Sequence, residues 1–318
     1  MVAVTRAVGD QLRANVLKAL AQDSFGVLEL GDIFSVAQPA MSHHLKKLSE
    51  AGLVSKRREG TSLFYQRTPA TNEPLLAAIY CALDAEALTT GYRRGIERIY
   101  KARLARSKHF FTHQADALAQ QTALICAPQV YIQAVVQTAM AATELQRDTA
   151  LEVGPGSGSL LQALAPHFKQ IVGVDNSAEM LAKTNDVVRH LDNATLIEGD
   201  FAALPQQPAY NLVVAAMVVH HMPSPLGFFQ QAARILTTNG LLVIAELCNH
   251  DQDWVKELCG DVWLGFNPTE LAHWSAQAGF TQTQQQFLAQ RNGFRVQVSA
   301  FAQTPPTSLE TPQQEHLK

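Results

Sequence analysis

The chain has 318 residues, of which 47% are apolar and 17% charged, an ordinary globular composition with material for two buried cores. Its net charge of -3 hides an asymmetry: residues 1–67 hold nine Lys/Arg against six Asp/Glu, whereas residues 149–303 hold seven against thirteen. A polyanion is therefore drawn to the front of the chain and repelled by its back, and the longest apolar run, Leu212–Val219, is far short of the ~20 residues that cross a bilayer, which excludes a membrane-spanning reading. The N-terminal stretch lacks the apolar centre of a signal peptide. Cys81, Cys126, Cys248 and Cys259 form no CxxC pair, which points to a reduced, cytoplasmic setting.

Residues 1–68 read as short helices followed by a basic hairpin. Ala37–Val54 predicts a helix with a defined inside, because Met41, Leu45 and Leu48 recur at i, i+4 and i+7. Pro39 suits a first turn and Gly52 a C-terminal stop. The outward side carries Gln38, Ser42, His43, Lys46 and Lys47, which can donate to bases and phosphates. Ser55–Tyr65 then predicts two strands about a Glu59-Gly60 turn, a wing that lays Lys56, Arg57 and Arg58 against a duplex backbone. Over residues 6–68 this block resembles the ArsR family of bacterial winged-helix repressors, in its Gln38-Pro39 start, Ser42, His44-Leu45 and the exit Ala51-Gly52-Leu53-Val54. The resemblance implies a homodimer reading an inverted repeat in double-stranded operator DNA, with recognition helices about one turn (~34 Å) apart. Metal sensors of that family often place cysteines in the preceding helix. Val27–Phe34 has none, so that metal site is not expected.

Residues 69–148 read as a helical connector and dimerisation region. Its Arg93, Arg94, Arg98, Lys101, Arg103, Arg106 and Lys108 spread around most of a helix circumference, as on a solvated helix. His109 and His113 stand at i, i+4, a spacing that can bind zinc, but no third ligand lies near them in sequence. They read as a solvated face, and no metal site is expected.

Residues 149–303 alternate between strand and helix patterns. Strands are predicted over Thr149–Val153, Gln170–Val174, Ala194–Glu198, Tyr210–Val219 and Gly240–Leu247, with helices over Leu160–Ala165, Ala178–His190 and Leu226–Leu236. That alternation predicts a parallel sheet covered on both faces. Phe280–Phe287 and Arg295–Phe301, joined by a short loop at Asn292-Gly293, read as antiparallel neighbours. The expectation is an α/β Rossmann-like domain of seven strands behind a winged helix-turn-helix and a helical connector. The polar, Pro-rich residues 304–318 read as a disordered tail.

The first strand runs directly into Gly154-Pro155-Gly156-Ser157-Gly158. Glycines there let the backbone turn tightly and approach a ligand, and the following helix start offers N–H groups to an anion. The spacing is GxGxG, shorter than the dinucleotide fingerprint GxGxxG, which argues against NAD. Asp175 closes the second strand, where a carboxylate can accept two ribose hydroxyls. Asp200 and Phe201 follow the third, where an adenine amino group and ring can lie. A glycine turn alone fits many α/β folds, whereas three acidic strand ends in order are more specific. These residues resemble the class I S-adenosylmethionine-dependent methyltransferases over residues 149–303. The resemblance implies that Glu152, Gly154, Gly156 and Gly158 line the amino-acid end of S-adenosylmethionine or S-adenosylhomocysteine. It implies that Asp175 holds the ribose, Asn176 and Met180 border the adenine, Asp200 and Phe201 clasp it, and Ala216 and Met217 flank the methionine part. Pro155 departs from the pattern by removing one N–H.

Substrate-side groups are expected after the fourth and fifth strands: His221, the pair His250 and Asp251 as a base and its orienter, and Trp254, Trp263 and Phe266 as walls of a small apolar cavity. Capping or packing explains His221 equally well, and a helix cap by Asp251 explains its pair almost as well. Two functions stay open. One is an ArsR-type DNA-binding regulator whose DNA affinity is coupled to cofactor or substrate binding. The other is a methyltransferase for a small-molecule acceptor that uses the winged helix only to dimerise. Between residues 43 and 67 there are six Lys/Arg and two acids, which favours the first.

Overall fold

The computed structural model describes residues 2–70 and 73–303, with side chains except those of residues 111–123 and 257. The tail expected over 304–318 and the His113 side chain lie outside the described residues. Among the described residues no helix is long and apolar enough to cross a membrane.

The chain opens with α1 (Val2–Val8) and α2 (Gln11–Ala19), the latter capped by the Asp10 carboxylate, which accepts the Arg13 N–H. β1 (Phe25–Gly26) leads into α3 (Val27–Phe34), which stops on Ser35 in left-handed backbone. α4 (Gln38–Glu50) starts with Pro39 in its first turn and buries Met41, Leu45 and Leu48, the stripe its spacing predicts. β2 (Val54–Glu59) and β3 (Ser62–Arg67) make the wing, and β1 adds to β3, giving the antiparallel order β1-β3-β2. Leu17, Leu20, Phe25 and Leu30 join the α4 stripe in one core.

α5 (Pro74–Asp84), α6 (Thr90–Ile125) and α7 (Pro128–Met140) form the connecting region. Pro74 and Pro128 sit in first turns, where the missing N–H is not needed. The long α6 crosses α3 at Gly95, where an added Cβ would stand 3.0 Å from the Ile33 Cα. A side chain there would push the two helices apart by a few tenths of an ångström.

The C-terminal unit continues with β4 (Thr149–Val153), α8 (Ser159–Leu164), β5 (Gln170–Asp175), α9 (Ala178–Val188), β6 (Ala194–Glu198), β7 (Tyr210–Ala216), α10 (Pro225–Ile235) and β8 (Leu236–Leu247). α11 (Trp254–Leu258), α12 (Pro268–Gln277), β9 (Phe280–Ala289) and β10 (Arg295–Gln303) complete it. The seven strands lie in the order β6-β5-β4-β7-β8-β10-β9, parallel except for β10, which runs against both its neighbours. The final strand of the chain is thus interior and β9 is the edge. Two spans differ from expectation. β7 stops at Ala216, because Met217 takes φ 55° and Val219–His221 coil into a 3-10 turn. β8 starts at Leu236, directly from α10. The apolar runs of β4 and β7 are buried along their length, as strands covered on both faces must be.

Candidate functional site

A cavity of about 1000 Å³ opens beyond the carboxyl ends of β4, β5 and β7. Chain order reverses there, since β4 has β5 on one side and β7 on the other, and open α/β sheets offer their crevice at such a point. The glycine loop forms one wall. Gly154 takes φ 65°, and a Cβ on it would fall 2.5 Å from Val218. At Gly156 an added Cβ would have only the Gly154 carbonyl within reach, at 4.0 Å, so this backbone is open to close approach. Thr184 of α9 clamps the loop by donating to the Gly156 carbonyl at 2.8 Å.

The predicted acids reach this space. Glu152, Asp175 and Asp200 all line the cavity, with Asn176, Met180, Phe201, Ala216 and Met217. Asp175 Oδ1 accepts the Ser177 N–H at 2.9 Å. Burial pushes its carboxyl up to about 6, against the pull of the Ser177 and Asn176 N–H groups. Asp200 Oδ1 accepts the Ala202 N–H, and the Phe201 ring packs on Phe228 at 5.2 Å. Glu152 is 2% exposed and its Oε2 has no hydrogen-bond partner. Burial holds its carboxyl well above the usual range. A buried carboxylate with one oxygen unpartnered, beside an open glycine, is suited to a ligand ammonium. These residues fit the group that the class I resemblance implies. Gly158 is a correction: it stays out of the cavity and packs against α9, where a Cβ would meet the Thr184 carbonyl at 3.1 Å.

The far wall departs further from expectation. His221 lines the cavity, and so does its neighbour His220, the less favoured of the two from sequence. His220 Nδ1 lies 2.6 Å from Glu246 Oε2, and Glu246 Oε1 accepts the N–H groups of Val218 and Val219. Burial pulls the His220 imidazole down, but Glu246 and Asp261 together raise it to about 9. Trp254, Trp263, Phe266, His250 and Asp251 do not line the cavity. His250 and Trp254 both pack edge-on against Phe294. Asp251 is exposed, and the α11 cap position is Asp253. Trp263 is fully buried, donating to the Met222 carbonyl at 2.9 Å. Its ring carries the guanidinium groups of Arg57 and Arg103 at 5.0 and 4.7 Å.

Those two arginines join the domains. Arg103 of α6 is not a solvated charge. It is 7% exposed, pairs with both Glu29 oxygens of α3 at 2.6 and 2.9 Å, and donates to the carbonyls of Ser24 and Pro223. Tyr100, Lys101, Leu104 and Ser107 of the same helix cover the cavity, together with Gln22 from the winged domain. The connector is therefore part of the site.

On the candidate nucleic-acid face, Gln38, Ser42, His43, Lys46 and Lys47 of α4 are exposed, and Lys46 pairs loosely with Glu50 at 3.8 Å. Lys56 and Arg58 are exposed on the wing. Arg57 is the correction. It points the other way along β2 and stands 2.7 Å from Glu59 and 2.9 Å from Glu270 of α12. Glu59 is 2% exposed, accepts the Leu264 N–H at 2.7 Å and pairs with Lys256 at 3.2 Å. The wing tip is thereby docked on the C-terminal domain.

Known proteins give two matches along the chain. A family described as a methyltransferase domain matches residues 128–296, and the arsR family of bacterial regulatory proteins matches residues 10–56. An HTH-type transcriptional regulator of Methanocaldococcus jannaschii is 43% identical over 63 residues, covering 20% of this chain and 71% of that protein. A Dictyostelium discoideum protein named as a methyltransferase is 32% identical over 102 residues, covering 31% of this chain and 36% of its own length. The chain thus spans about a third of that relative. The solved magnesium protoporphyrin IX methyltransferase of Synechocystis, with bound S-adenosylhomocysteine, matches 64% of this chain and all of its own at 15% identity and a TM-score of 0.51, a likeness of fold.

Proposed function

The chain belongs to the methyltransferase-domain family and carries an arsR-family regulatory domain ahead of it, and on that premise we propose a cytoplasmic, homodimeric DNA-binding regulator whose hold on operator DNA depends on S-adenosylmethionine or S-adenosylhomocysteine in the C-terminal cavity. One observation carries this reading. The cavity that presents Asp175, Asp200 and the buried Glu152, one of whose oxygens has no partner, is walled by segments that also hold the wing and α3.

In this reading Asp175 accepts the ribose hydroxyls, Phe201 lies against the adenine, and Glu152 takes the ammonium. S-adenosylmethionine, when bound, supplies a methyl group on a sulfonium that carries its own leaving group. The chain's part in a transfer to a small-molecule acceptor is alignment at short range. The route to DNA is short. Cys259 and Asp261 line the cavity, Leu264 is bonded to Glu59 of the wing, and Pro223 at the cavity binds Arg103, which binds Glu29 of α3. A ligand that moves residues 217–223 or 259–264 therefore acts on both supports of the winged domain. Coupling requires that it bind the DNA-competent and incompetent states unequally.

The docked wing favours a second reading, a small-molecule methyltransferase whose winged helix serves dimerisation. Gel shifts on the promoter of the protein's own operon, with and without each cofactor form, separate the two. For the regulator, replacing both Lys46 and Lys47 by Ala weakens binding and lowers the salt slope by about 1 for each phosphate that is no longer neutralised. Absence of a specific shift under every ligand condition, with methyl transfer intact, leaves the second reading.

A pH dependence follows from Asp175. Its raised carboxyl takes up a proton as pH falls through about 6, and a protonated carboxyl is a poor acceptor for two hydroxyls. Affinity for S-adenosylhomocysteine is expected to fall progressively below pH 6, with proton release on binding near that value. Glu152 acts in the same sense, because an ammonium favours its ionised form. Calorimetry in buffers of different ionisation heat reads both effects, and a constant affinity down to pH 5 contradicts the assignment.

A further inference from the structure

At the acceptor end of the cavity, three side chains that no element of the cofactor reading uses converge. His220 Nε2 lies 3.7 Å from Asp261 Oδ1, and His221 Nδ1 lies 3.8 Å from the same oxygen. One ligand atom from each residue falls within 4.8 Å of the other two. All three residues line the cavity. Asp261 is 2% exposed, and neither of its carboxylate oxygens accepts a hydrogen bond. A buried carboxylate without donors is costly, and its nearest positive partner, the His220 ring, stands 3.7 Å away and outside hydrogen-bond reach. The nearby ammonium of Lys256 is held by Glu59 at 3.2 Å.

Glu246 settles how His220 faces this group. Its Oε1 takes the backbone N–H groups of Val218 and Val219 and its Oε2 takes His220 Nδ1 at 2.6 Å, so it is an acceptor throughout. The proton on Nδ1 then points at Glu246, and Nε2 points at Asp261. The gap of 3.7 Å is too long for an N–H···O bond. It does suit a shared cation, since two bonds of about 2.0–2.2 Å at a tetrahedral angle separate their ends by about 3.4 Å. A histidine whose second nitrogen is held by a carboxylate is the usual setting of a metal ligand. Two buried carboxylates, Glu246 and Asp261, also match the charge of one divalent ion, which would take the place of the proton on His220 Nε2.

We propose that His220, His221 and Asp261 bind a divalent transition-metal ion of the zinc or ferrous kind at the acceptor end of the cavity. Two histidines and one carboxylate leave coordination positions open. They open to the cavity, so the site takes a small molecule with a metal-binding head such as a thiolate or phenolate. This rests on the side-chain geometry and not on the cofactor reading. It also departs from the expectation, drawn from spacing alone, that the chain holds no metal.

The test uses the full chain, stripped with a chelator and titrated with Co(II). Ligand-field bands distinct from those of the aquo ion should saturate at equimolar metal and be displaced by Zn(II). Asp261→Asn, close to isosteric, should weaken Co(II) binding at least about 100-fold, and Glu246→Gln about 10–100-fold through its hold on His220. Asp251→Asn, an exposed carboxylate, should leave it unchanged. Thermal melts show that each variant is folded, and Zn(II) should raise the melting temperature of the parent but not of Asp261→Asn. Absence of Co(II) bands in the parent, or bands of full strength in Asp261→Asn, overturns the proposal.

Discussion

Asp175→Ala is expected to raise the dissociation constant for S-adenosylhomocysteine by about 100- to 10,000-fold, because two charge-assisted hydrogen bonds of about 1.5–3 kcal/mol each are lost and each 1.4 kcal/mol is tenfold. The size of the effect comes from where β5 ends. Its register beside β4 and β6 delivers the carboxylate to the sheet edge, and the Ser177 and Asn176 N–H groups fix its direction. Phe201 and the glycine loop contribute shape, which an alanine at 175 leaves in place. Asp175→Asn keeps an acceptor for the Ser177 N–H and loses the charge, so a smaller loss, about tenfold, is expected. Equal affinity of parent and Asp175→Ala by calorimetry contradicts the pocket assignment. Unchanged DNA binding by Asp175→Ala in the presence of ligand contradicts the coupling.

The parts of the site that sequence reasoning reached are those set by local rules. A glycine loop after a strand, an acid at each of three strand ends and the α4 stripe depend on spacing within a dozen residues. The structure brings Glu152, Asp175 and Asp200 to one cavity for that reason. What was missed depends on distant packing. Gly158 reads like its two neighbours, but packing against Thr184 uses it. Trp263 was a plausible pocket wall until Arg57 and Arg103 arrived from other parts of the chain to cover it. Seven cations spread round α6 gave no sign that one of them, Arg103, is buried against Glu29. A signal for the docked wing did exist. Arg57 and Glu59 stand at i, i+2 on one strand and so share a face, and an ion pair on one side with Lys56 and Arg58 on the other marks two different environments.

That alternation allows the wing to be tested. If Arg57 touched phosphate, Arg57→Ala would lower operator affinity and the salt slope while leaving stability alone. The docked arrangement requires the opposite pattern. Arg57 bridges Glu59 and Glu270 and stacks on Trp263, so its removal strands carboxylates at a nearly dry junction. Breaking such a pair costs about 3–5 kcal/mol. The low end, about 3 kcal/mol, is expected here because Lys256 stays 3.2 Å from Glu59 and Glu270 keeps its bond to the Asn267 N–H. Denaturant unfolding reads this loss. The same variant removes one of the wing's holds on the segment that walls the cavity while the Glu59 bonds to Leu264 and Lys256 remain, so the difference in operator affinity with and without S-adenosylhomocysteine should shrink, its salt slope unchanged. Arg58→Ala, on the exposed side of β2, should show the complementary result: native stability, a retained ligand response and a smaller salt slope. A ligand response preserved in Arg57→Ala at full strength would place the coupling on Arg103 and Glu29 instead, and would leave the wing dock as a support with no part in signalling.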